Sequence, residues 1–87
     1  MALEDEFQEH ANKAKNLPPS TKDADKLILY GFYKQATVGN VNTSRPGMFS
    51  PTDRAKWDAW KAVEGKTKEE AMSSYIAKVK ELQGAAA

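Results

Sequence analysis

Residues 30–37 read Tyr-Gly-Phe-Tyr-Lys-Gln-Ala-Thr, and the helical periodicity of this stretch guides the interpretation of the rest of the chain. At 100° of rotation per helical residue, Tyr33 and Lys34 fall within about 60° of Tyr30. Two phenol rings and an ammonium group would therefore share one face of a helix. Tyrosine rings beside a lysine suit a ligand that is flat, aromatic and anionic, and a nucleotide is such a ligand.

The opposite side of this helix is apolar. Ile28 and Phe32 lie at about 160° and 200° from Tyr30, so the pattern predicts that they face a core. The helix would then present its aromatic and cationic side chains on a different face from the one it buries.

Length and composition limit the classes of protein to consider. A chain of 87 residues makes one domain, which we assign to residues 1–84 with a flexible tail at 85–87. The 13 basic and 12 acidic residues leave a net charge of +1, which argues against a general nucleic-acid binder. The absence of cysteine excludes a thiolate metal site and a cysteine nucleophile.

The cellular location is predicted from the absence of a membrane-spanning segment and of a signal peptide in the sequence. No apolar run approaches membrane-spanning length, so we expect no stable membrane insertion. The N-terminal segment, residues 1–6, is acidic and lacks the hydrophobic core of a signal peptide. A cytoplasmic protein is therefore expected.

Boundary signals predict two helices in the first half of the chain. The first ends before the proline pair at 18–19, because a residue that precedes proline avoids the α region. Residues 20–23 match a capping box, which predicts that the second helix begins at residue 21 or 22. This helix runs toward Val38, with Gly39 able to adopt the left-handed conformation that ends a helix. The apolar positions of the first helix are Leu3, Phe7, Ala11 and Ala14.

Two further helices follow in the second half. Ser50 can cap a helix, Pro51 suits its first position and Asp53 can reach back to the cap amide, so a third helix starts here and ends at Gly65. A second capping box at 67–70 opens the fourth helix. Its apolar stripe consists of Met72, Tyr75, Ile76, Val79 and Leu82.

The resulting fold is an all-α four-helix bundle. Short connections at 17–20 and 64–66 predict antiparallel neighbours, and the long segment at 39–49 permits a crossover between the second and third helices. That segment has no periodicity, and we expect Val41, Met48 and Phe49 to anchor it on the core.

Signals for catalysis are weak. His10 is the one histidine of the sequence, and neither a paired-histidine metal spacing nor a nucleophile elbow occurs. The glycines do not form a phosphate-binding loop. We therefore expect a protein that is not an enzyme and has neither a metal ion nor a cofactor.

The candidate binding constellation has an alternative structural interpretation. Tyr30, Tyr33, Lys34, Lys56 and Tyr75 could form a ligand site, or the tyrosines could be core aromatics and the lysines solubilising charges. Spacing alone leaves both interpretations open for each tyrosine. The two tryptophans at 57 and 60 are expected in the core rather than at a ligand.

Three segments give the sequence a family resemblance. Residues 30–48 contain the pattern Tyr-x-x-Tyr-Lys-Gln-Ala-Thr-x-Gly, residues 55–60 read Ala-Lys-Trp-Asp-Ala-Trp, and residues 71–76 read Ala-Met-Ser-Ser-Tyr-Ile. With these motifs the chain resembles the acyl-CoA-binding protein family from Phe7 to about Leu82. The resemblance implies a bundle with up-down-down-up topology, which makes residues 1–84 a single acyl-CoA-binding domain.

The resemblance also implies roles for particular residues at the ligand's head group. Tyr33 matches the position that stacks on the adenine ring. Tyr30, Lys34 and Lys56 match positions that bind the 3′-phosphate of the ribose. Family members often carry a basic residue where this chain has Thr52.

Other matched positions line the rest of the ligand. Tyr75 and Lys15 correspond to residues along the nucleotide or the chain, and Ala11 and Leu27 to residues of the groove that takes the acyl tail. Two more departures are Pro51, where an aromatic residue is common, and Asn40, which replaces the usual aspartate.

The function implied is non-catalytic intracellular binding, buffering and transport of medium- to long-chain fatty acyl-CoA esters, in fatty acid metabolism. The expected partners are the long-chain acyl-CoA ligand and, transiently, membranes or acyl-CoA-using enzymes. We expect a monomer that does not bind nucleic acid. One alternative is a helical protein-interaction module whose groove takes a partner's apolar helix; another is a thioesterase, for which the sequence offers no nucleophile–base pair.

Overall fold

A computed structural model of the protein describes residues 2–85, which form four α-helices and no strand. The helices are α1 (Leu3–Ala14), α2 (Asp23–Thr37), α3 (Pro51–Lys61) and α4 (Lys68–Ala85). The predicted all-α four-helix bundle with a long α2–α3 connection is confirmed. Of the tail predicted at 85–87, residue 85 belongs to α4 and residues 86–87 lie outside the described part of the chain.

Two of the predicted helix boundaries form as expected. The N–H of Glu70 donates to the Thr67 hydroxyl at 3.0 Å, and the N–H of Thr67 donates to the Glu70 carboxylate at 2.9 Å, which completes a capping box at α4. At the end of α2, Gly39 has φ of 102° and donates its N–H to the carbonyl of Lys34 at 3.2 Å. Glycine suits this left-handed position because it has no Cβ.

Other boundaries differ from the sequence prediction. Helix α2 begins at Asp23, and its N-cap residue Lys22 makes no side-chain cap bond, so the capping box predicted at 20–23 does not form. Helix α3 ends at Lys61 rather than at Gly65, because the chain turns through residues 62–65 before α4. Gly65 has φ of 95° and makes that turn possible.

Packing centres on α4 and α2. Helix α4 packs against both α1 and α2, and α2 also packs against α3. The short connections predicted that consecutive helices are neighbours, but within residues 2–85 the backbones of α1 and α2 do not approach closely, and neither do those of α3 and α4. The core between α1, α2 and α4 consists of Phe7, Leu29, Ala36, Ala71, Tyr75, Ile76, Val79 and Leu82.

Helix α2 buries more than one stripe because it contacts two helices. Leu29 and Ala36 belong to the core with α4, Phe32 packs against that core, and Gly31 faces α3. Ile28, predicted to face the core with Phe32, is instead exposed. A single apolar stripe was the wrong expectation for a helix that lies between two neighbours.

The crossover loop is held by polar contacts rather than by its own apolar residues. The indole N–H of Trp60 donates to the Gly39 carbonyl at 2.7 Å, and that of Trp57 donates to the Thr43 carbonyl at 3.1 Å. Both Nε and Nη2 of Arg45 donate to the Asp58 carboxylate at 2.9 Å, and this hydrogen bond lowers the pKa of the Asp58 carboxyl. Of the three side chains predicted to anchor the loop, Met48 is 72% and Phe49 is 94% exposed, whereas Val41 is half-buried.

Candidate functional site

Two adjacent clefts open along α2. The first, of about 470 Å³, lies between α1, its following loop, α2 and α4, and exists because the backbones of α1 and α2 stay apart. Its lining comprises Ala14, Lys15, Leu17, Pro18, Pro19, Lys26, Leu29, Tyr30, Tyr33 and Tyr75. The second, of about 570 Å³, lies between α2 and α3. It is lined by Asp23, Lys26, Leu27, Tyr30, Pro51, Thr52, Ala55 and Lys56.

An aromatic cluster of Phe7, Tyr33 and Tyr75 adjoins the first cleft. The buried ring of Phe7 stacks on Tyr33 with centroids 5.7 Å apart and meets Tyr75 edge-on at 5.0 Å. Tyr33 remains 39% exposed, so its ring is fixed by Phe7 yet open to the cleft. Because aromatic pairs favour offset-stacked and edge-on arrangements, these contacts fix the plane in which Tyr33 can receive another ring.

The phenol of Tyr75 stays neutral at physiological pH. Burial raises the pKa of Tyr75, and the neighbouring Tyr33 raises it further. A neutral phenol can donate a hydrogen bond to a ligand oxygen as well as accept one.

A cation lies over an aromatic ring in the second cleft. The ammonium of Lys56 on α3 is 5.6 Å from the ring centroid of Tyr30 on α2. This cation–π contact brings a positive charge from α3 and a phenol from α2 together in the lining of the cleft. Leu27, Pro51 and Ala55 add apolar surface to the same lining. The second cleft therefore combines an anion-attracting group with apolar surface.

Six of the eight site residues predicted from the sequence line a cleft. Lys15, Tyr33 and Tyr75 line the first cleft, Leu27 and Lys56 the second, and Tyr30 lines both. The other two predicted site residues are Lys34 and Ala11.

Lys34 and Ala11 line neither cleft. The Lys34 ammonium lies 5.0 Å from the ring centroid of Trp60, on the side of α2 that faces α3. Ala11 is partly buried against the core of α1, α2 and α4. The structure therefore brings the Lys56 ammonium to the ring of Tyr30, while the Lys34 ammonium contacts the ring of Trp60 instead.

Lys26 is a cleft residue that the sequence interpretation missed. It lines both clefts, as Tyr30 does. Its position follows from helical spacing, because Lys26, Tyr30 and Tyr33 are related as i, i+4 and i+7 and share one face of α2. Extending the periodicity one turn before Tyr30 would have found it.

His10, the single histidine of the sequence, lines neither cleft. His10 is buried, and its Nδ1 lies 2.8 Å from the carbonyl oxygen of Glu6 on its own helix. Histidine, aspartate and glutamate side chains within the described residues form no group that could hold a metal ion. Taken together, two open clefts lined by aromatic rings and ammonium groups define a small helical ligand-binding protein.

Comparison with known proteins places the chain in a family. The family model for acyl CoA binding protein matches residues 4–79, nearly the whole chain. The chain belongs to the acyl-CoA-binding protein family, which confirms the resemblance found in residues 30–48.

Individual relatives agree with this assignment. The chain is 71% identical over 87 residues to an acyl-CoA-binding protein of Ricinus communis, covering all of this chain and 97% of the relative. It has the same identity over 87 residues to an acyl-CoA-binding domain-containing protein 3 of Oryza sativa, but spans only 56% of that relative's length. The crystal structure of Oryza sativa acyl-CoA-binding protein 2 superimposes with a TM-score of 0.95 at 64% identity, covering 98% of this chain and 94% of that one.

The described helices were also compared with the requirements of a bilayer. None of those between residues 2 and 85 combines the length and apolarity that crossing a membrane demands.

Proposed function

We propose that this protein binds medium- to long-chain fatty acyl-CoA esters without hydrolysing them, and buffers and transports them. The observation that carries the proposal is the convergence of Tyr30, Tyr33, Tyr75, Lys15 and Lys56 on two adjoining clefts in a chain of this family. The family's members are binders rather than enzymes, and family membership does not favour the protein-interaction alternative.

The head group of the ligand has matching chemistry in the clefts. The adenine ring stacks on Tyr33, whose plane Phe7 fixes. The 3′-phosphate is bound by Lys56 and the hydroxyl of Tyr30, a pairing supported by the Lys56 ammonium lying 5.6 Å from the centroid of the Tyr30 ring. Lys15 and Tyr75, which line the first cleft, contact the rest of the nucleotide or the chain that follows it. Lys34, whose ammonium lies over Trp60, adds to the positive electrostatic potential that attracts the phosphate.

The acyl tail is accommodated by apolar surface. Leu27, Pro51 and Ala55 offer such surface in the second cleft, and Ala11, which packs against the core, matches a position of the family's tail groove. Each buried CH₂ of the tail contributes up to about 0.8 kcal/mol. Binding also costs about 4–15 kcal/mol in lost freedom, so head and tail together are needed for tight binding.

The working state of the protein is part of the proposal. We expect a cytoplasmic monomer that touches membranes or acyl-CoA-using enzymes transiently while it delivers its ligand. The absence of cysteine is compatible with a reducing compartment. Size-exclusion chromatography with light scattering, with and without palmitoyl-CoA, tests the monomer.

Titration calorimetry with palmitoyl-CoA tests the binding function. We expect one ligand per chain, with free palmitate and free CoA each binding far more weakly because neither offers both head and tail. Tyr33→Ala removes the stacking ring and should cost about 1–3 kcal/mol of binding free energy. Lys56→Ala removes a charge-assisted bond to phosphate and should cost about the same.

Matched controls separate site effects from general ones. Tyr33→Phe keeps the ring and should bind nearly as well as the wild type. Lys61→Ala changes a lysine on the same helix as Lys56 that pairs with Glu64 at 2.9 Å and lies outside both clefts, so its affinity should not change. Equal affinity of wild type, Tyr33→Ala and Lys56→Ala would show that the site lies elsewhere.

A further inference from the structure

Lys26 occupies the boundary between the two clefts. Together with Tyr30, one helical turn further along α2, it lines both of them. Any ligand that extends from one cleft into the other must therefore pass Lys26 or Tyr30. None of the roles proposed above uses this lysine.

The ammonium of Lys26 has no carboxylate within ion-pair distance in residues 2–85. Other lysines are paired: Lys78 contacts Asp25 at 3.1 Å, and Lys13 contacts Glu9 at 3.3 Å. Lys26 is exposed while it lines apolar clefts, as a lysine does when its methylene stem covers apolar surface and its charged head stays in water. This places a free positive charge at the mouth of both clefts.

The charges around Lys26 differ between the two clefts. The first cleft contains Lys15 and no acidic residue. The second contains Lys56 and also Asp23, which lies three residues before Lys26 on α2. An anionic group is therefore attracted more strongly to the side of Lys26 that faces the first cleft, where no carboxylate opposes Lys15 and Lys26.

We propose that Lys26 binds the 5′-diphosphate of the acyl-CoA ligand, an inference that rests on the proposed function. The head group carries two separate anionic groups, the 3′-phosphate and the 5′-diphosphate. Lys56 and Tyr30 take the 3′-phosphate on the α3 side, so the second anionic group meets Lys26 at the mouth of the first cleft. Lys15 and Lys26 in the first cleft and Lys56 in the second thus supply positive charge for both phosphate positions.

Ligands that lack successive parts of the head group test this assignment. They are palmitoyl-CoA, palmitoyl-dephospho-CoA, which keeps the diphosphate and lacks the 3′-phosphate, and palmitoyl-pantetheine, which lacks every phosphate and the adenosine. Lys26→Met keeps the apolar stem and removes the charge. It should weaken the first two ligands by about 5- to 20-fold and leave palmitoyl-pantetheine unchanged.

Lys56→Met is the matched variant on the other side. It should weaken palmitoyl-CoA and leave palmitoyl-dephospho-CoA unchanged, because the group it binds is missing there. Lys26→Arg should retain the affinity of the wild type, since the charge is kept. The affinity of Lys26→Met should also fall less steeply with salt than that of the wild type.

Three outcomes would overturn the assignment of Lys26 while the proposed function stands. They are an unchanged affinity of Lys26→Met for palmitoyl-CoA, an equal loss for palmitoyl-pantetheine, and a loss confined to the ligand that carries the 3′-phosphate. Failure of the wild-type protein to bind palmitoyl-CoA would instead contradict the proposed function itself.

Discussion

Gly31 of α2 lies directly against the backbone of Ala59 in α3. A Cβ at position 31 would overlap the Ala59 carbonyl and approach the Trp60 nitrogen at 3.3 Å. The neighbours are backbone atoms and cannot rotate away, so any larger residue must push α2 and α3 apart. These are the two helices whose separation defines the second cleft.

Gly31→Ala should therefore destabilise the fold by about 1–3 kcal/mol, a cost typical of overpacking, despite the higher helix propensity of alanine. Urea unfolding measures this change. Gly47→Ala is the control, because nothing lies within 4 Å of a Cβ there and its φ is not positive. A Gly31→Ala variant as stable as Gly47→Ala would show that the two helices can separate freely.

Asn40 ties the crossover loop to two other segments. Its Oδ1 accepts the Nε2 donor of Gln35 at 2.8 Å and the N–H of Gly65 at 2.9 Å. Gln35 is 1% exposed, and its Nε2 also donates to the Lys66 carbonyl at 2.8 Å. The end of α2, the loop and the α3–α4 turn therefore meet at one acceptor oxygen.

Asn40→Ala should cost about 1–2 kcal/mol in the free energy of unfolding, because two donors lose their acceptor. Asn40→Asp should preserve that free energy at neutral pH, since a carboxylate oxygen accepts the same two bonds. The comparison is made by urea unfolding of the three proteins. If Asp and Ala destabilise equally, the acceptor oxygen is not what this position contributes.

This position illustrates how far the sequence could predict the structure. In the sequence, Asn40 is recognisable only as a departure from the family's usual aspartate. Its residue type does not reveal that Gln35 and Gly65 both donate to its side-chain oxygen. Helix number, the Thr67–Glu70 cap and the turn at Gly39 were predictable because neighbouring residues determine them. The exposure of Phe49 was not predictable, because it depends on how the loop packs against the helices rather than on neighbouring residues.

The candidate site also combines features that neighbouring residues determine with features that depend on tertiary packing. The face shared by Tyr30 and Tyr33 follows from helical spacing within α2. That Lys34 turns to Trp60, while Lys56 reaches Tyr30, depends on how α3 packs across α2. Such placement is tertiary and is not encoded in the spacing of one helix.

The capping box of α4 should make stability depend on pH. Two hydrogen bonds lower the pKa of Glu70 below its ordinary value of 4.5. The larger effect comes from the backbone N–H of Thr67 and the smaller from the Thr67 hydroxyl. A lowered folded-state pKa means that the carboxylate stabilises the fold above pH 4.5, and that this contribution is lost as pH falls through the folded-state pKa.

Wild type should therefore be more stable than Glu70→Gln at pH 7, and the difference should shrink below pH 4.5 and vanish once the pH has fallen through the folded-state pKa of Glu70. Thermal unfolding of both proteins across this range measures it. Glu69→Gln is the control, because Glu69 is the neighbouring carboxylate in the first turn and does not bond Thr67. A difference that persists unchanged at low pH would contradict a role for the Glu70 charge.

Lys34 and Lys56 should contribute unequally to binding. Both match family positions for the 3′-phosphate, but Lys56 lines a cleft beside Tyr30 whereas Lys34 lies over Trp60 and lines neither cleft. To reach the phosphate directly, Lys34 would have to give up a cation–π contact that contributes about 0.5–1 kcal/mol. Lys34→Met should therefore weaken palmitoyl-CoA binding less than Lys56→Met does.

Titration calorimetry of the two variants under identical salt conditions makes this comparison. Lys34→Met should also lower the urea midpoint slightly, because Trp60 loses its cation, whereas Lys56→Met should alter affinity more than stability. Equal losses of affinity would mean that Lys34 leaves Trp60 when the ligand binds. In that case tryptophan fluorescence should report the movement, since the charge next to Trp60 would change on titration with palmitoyl-CoA in the wild type and not in Lys34→Met.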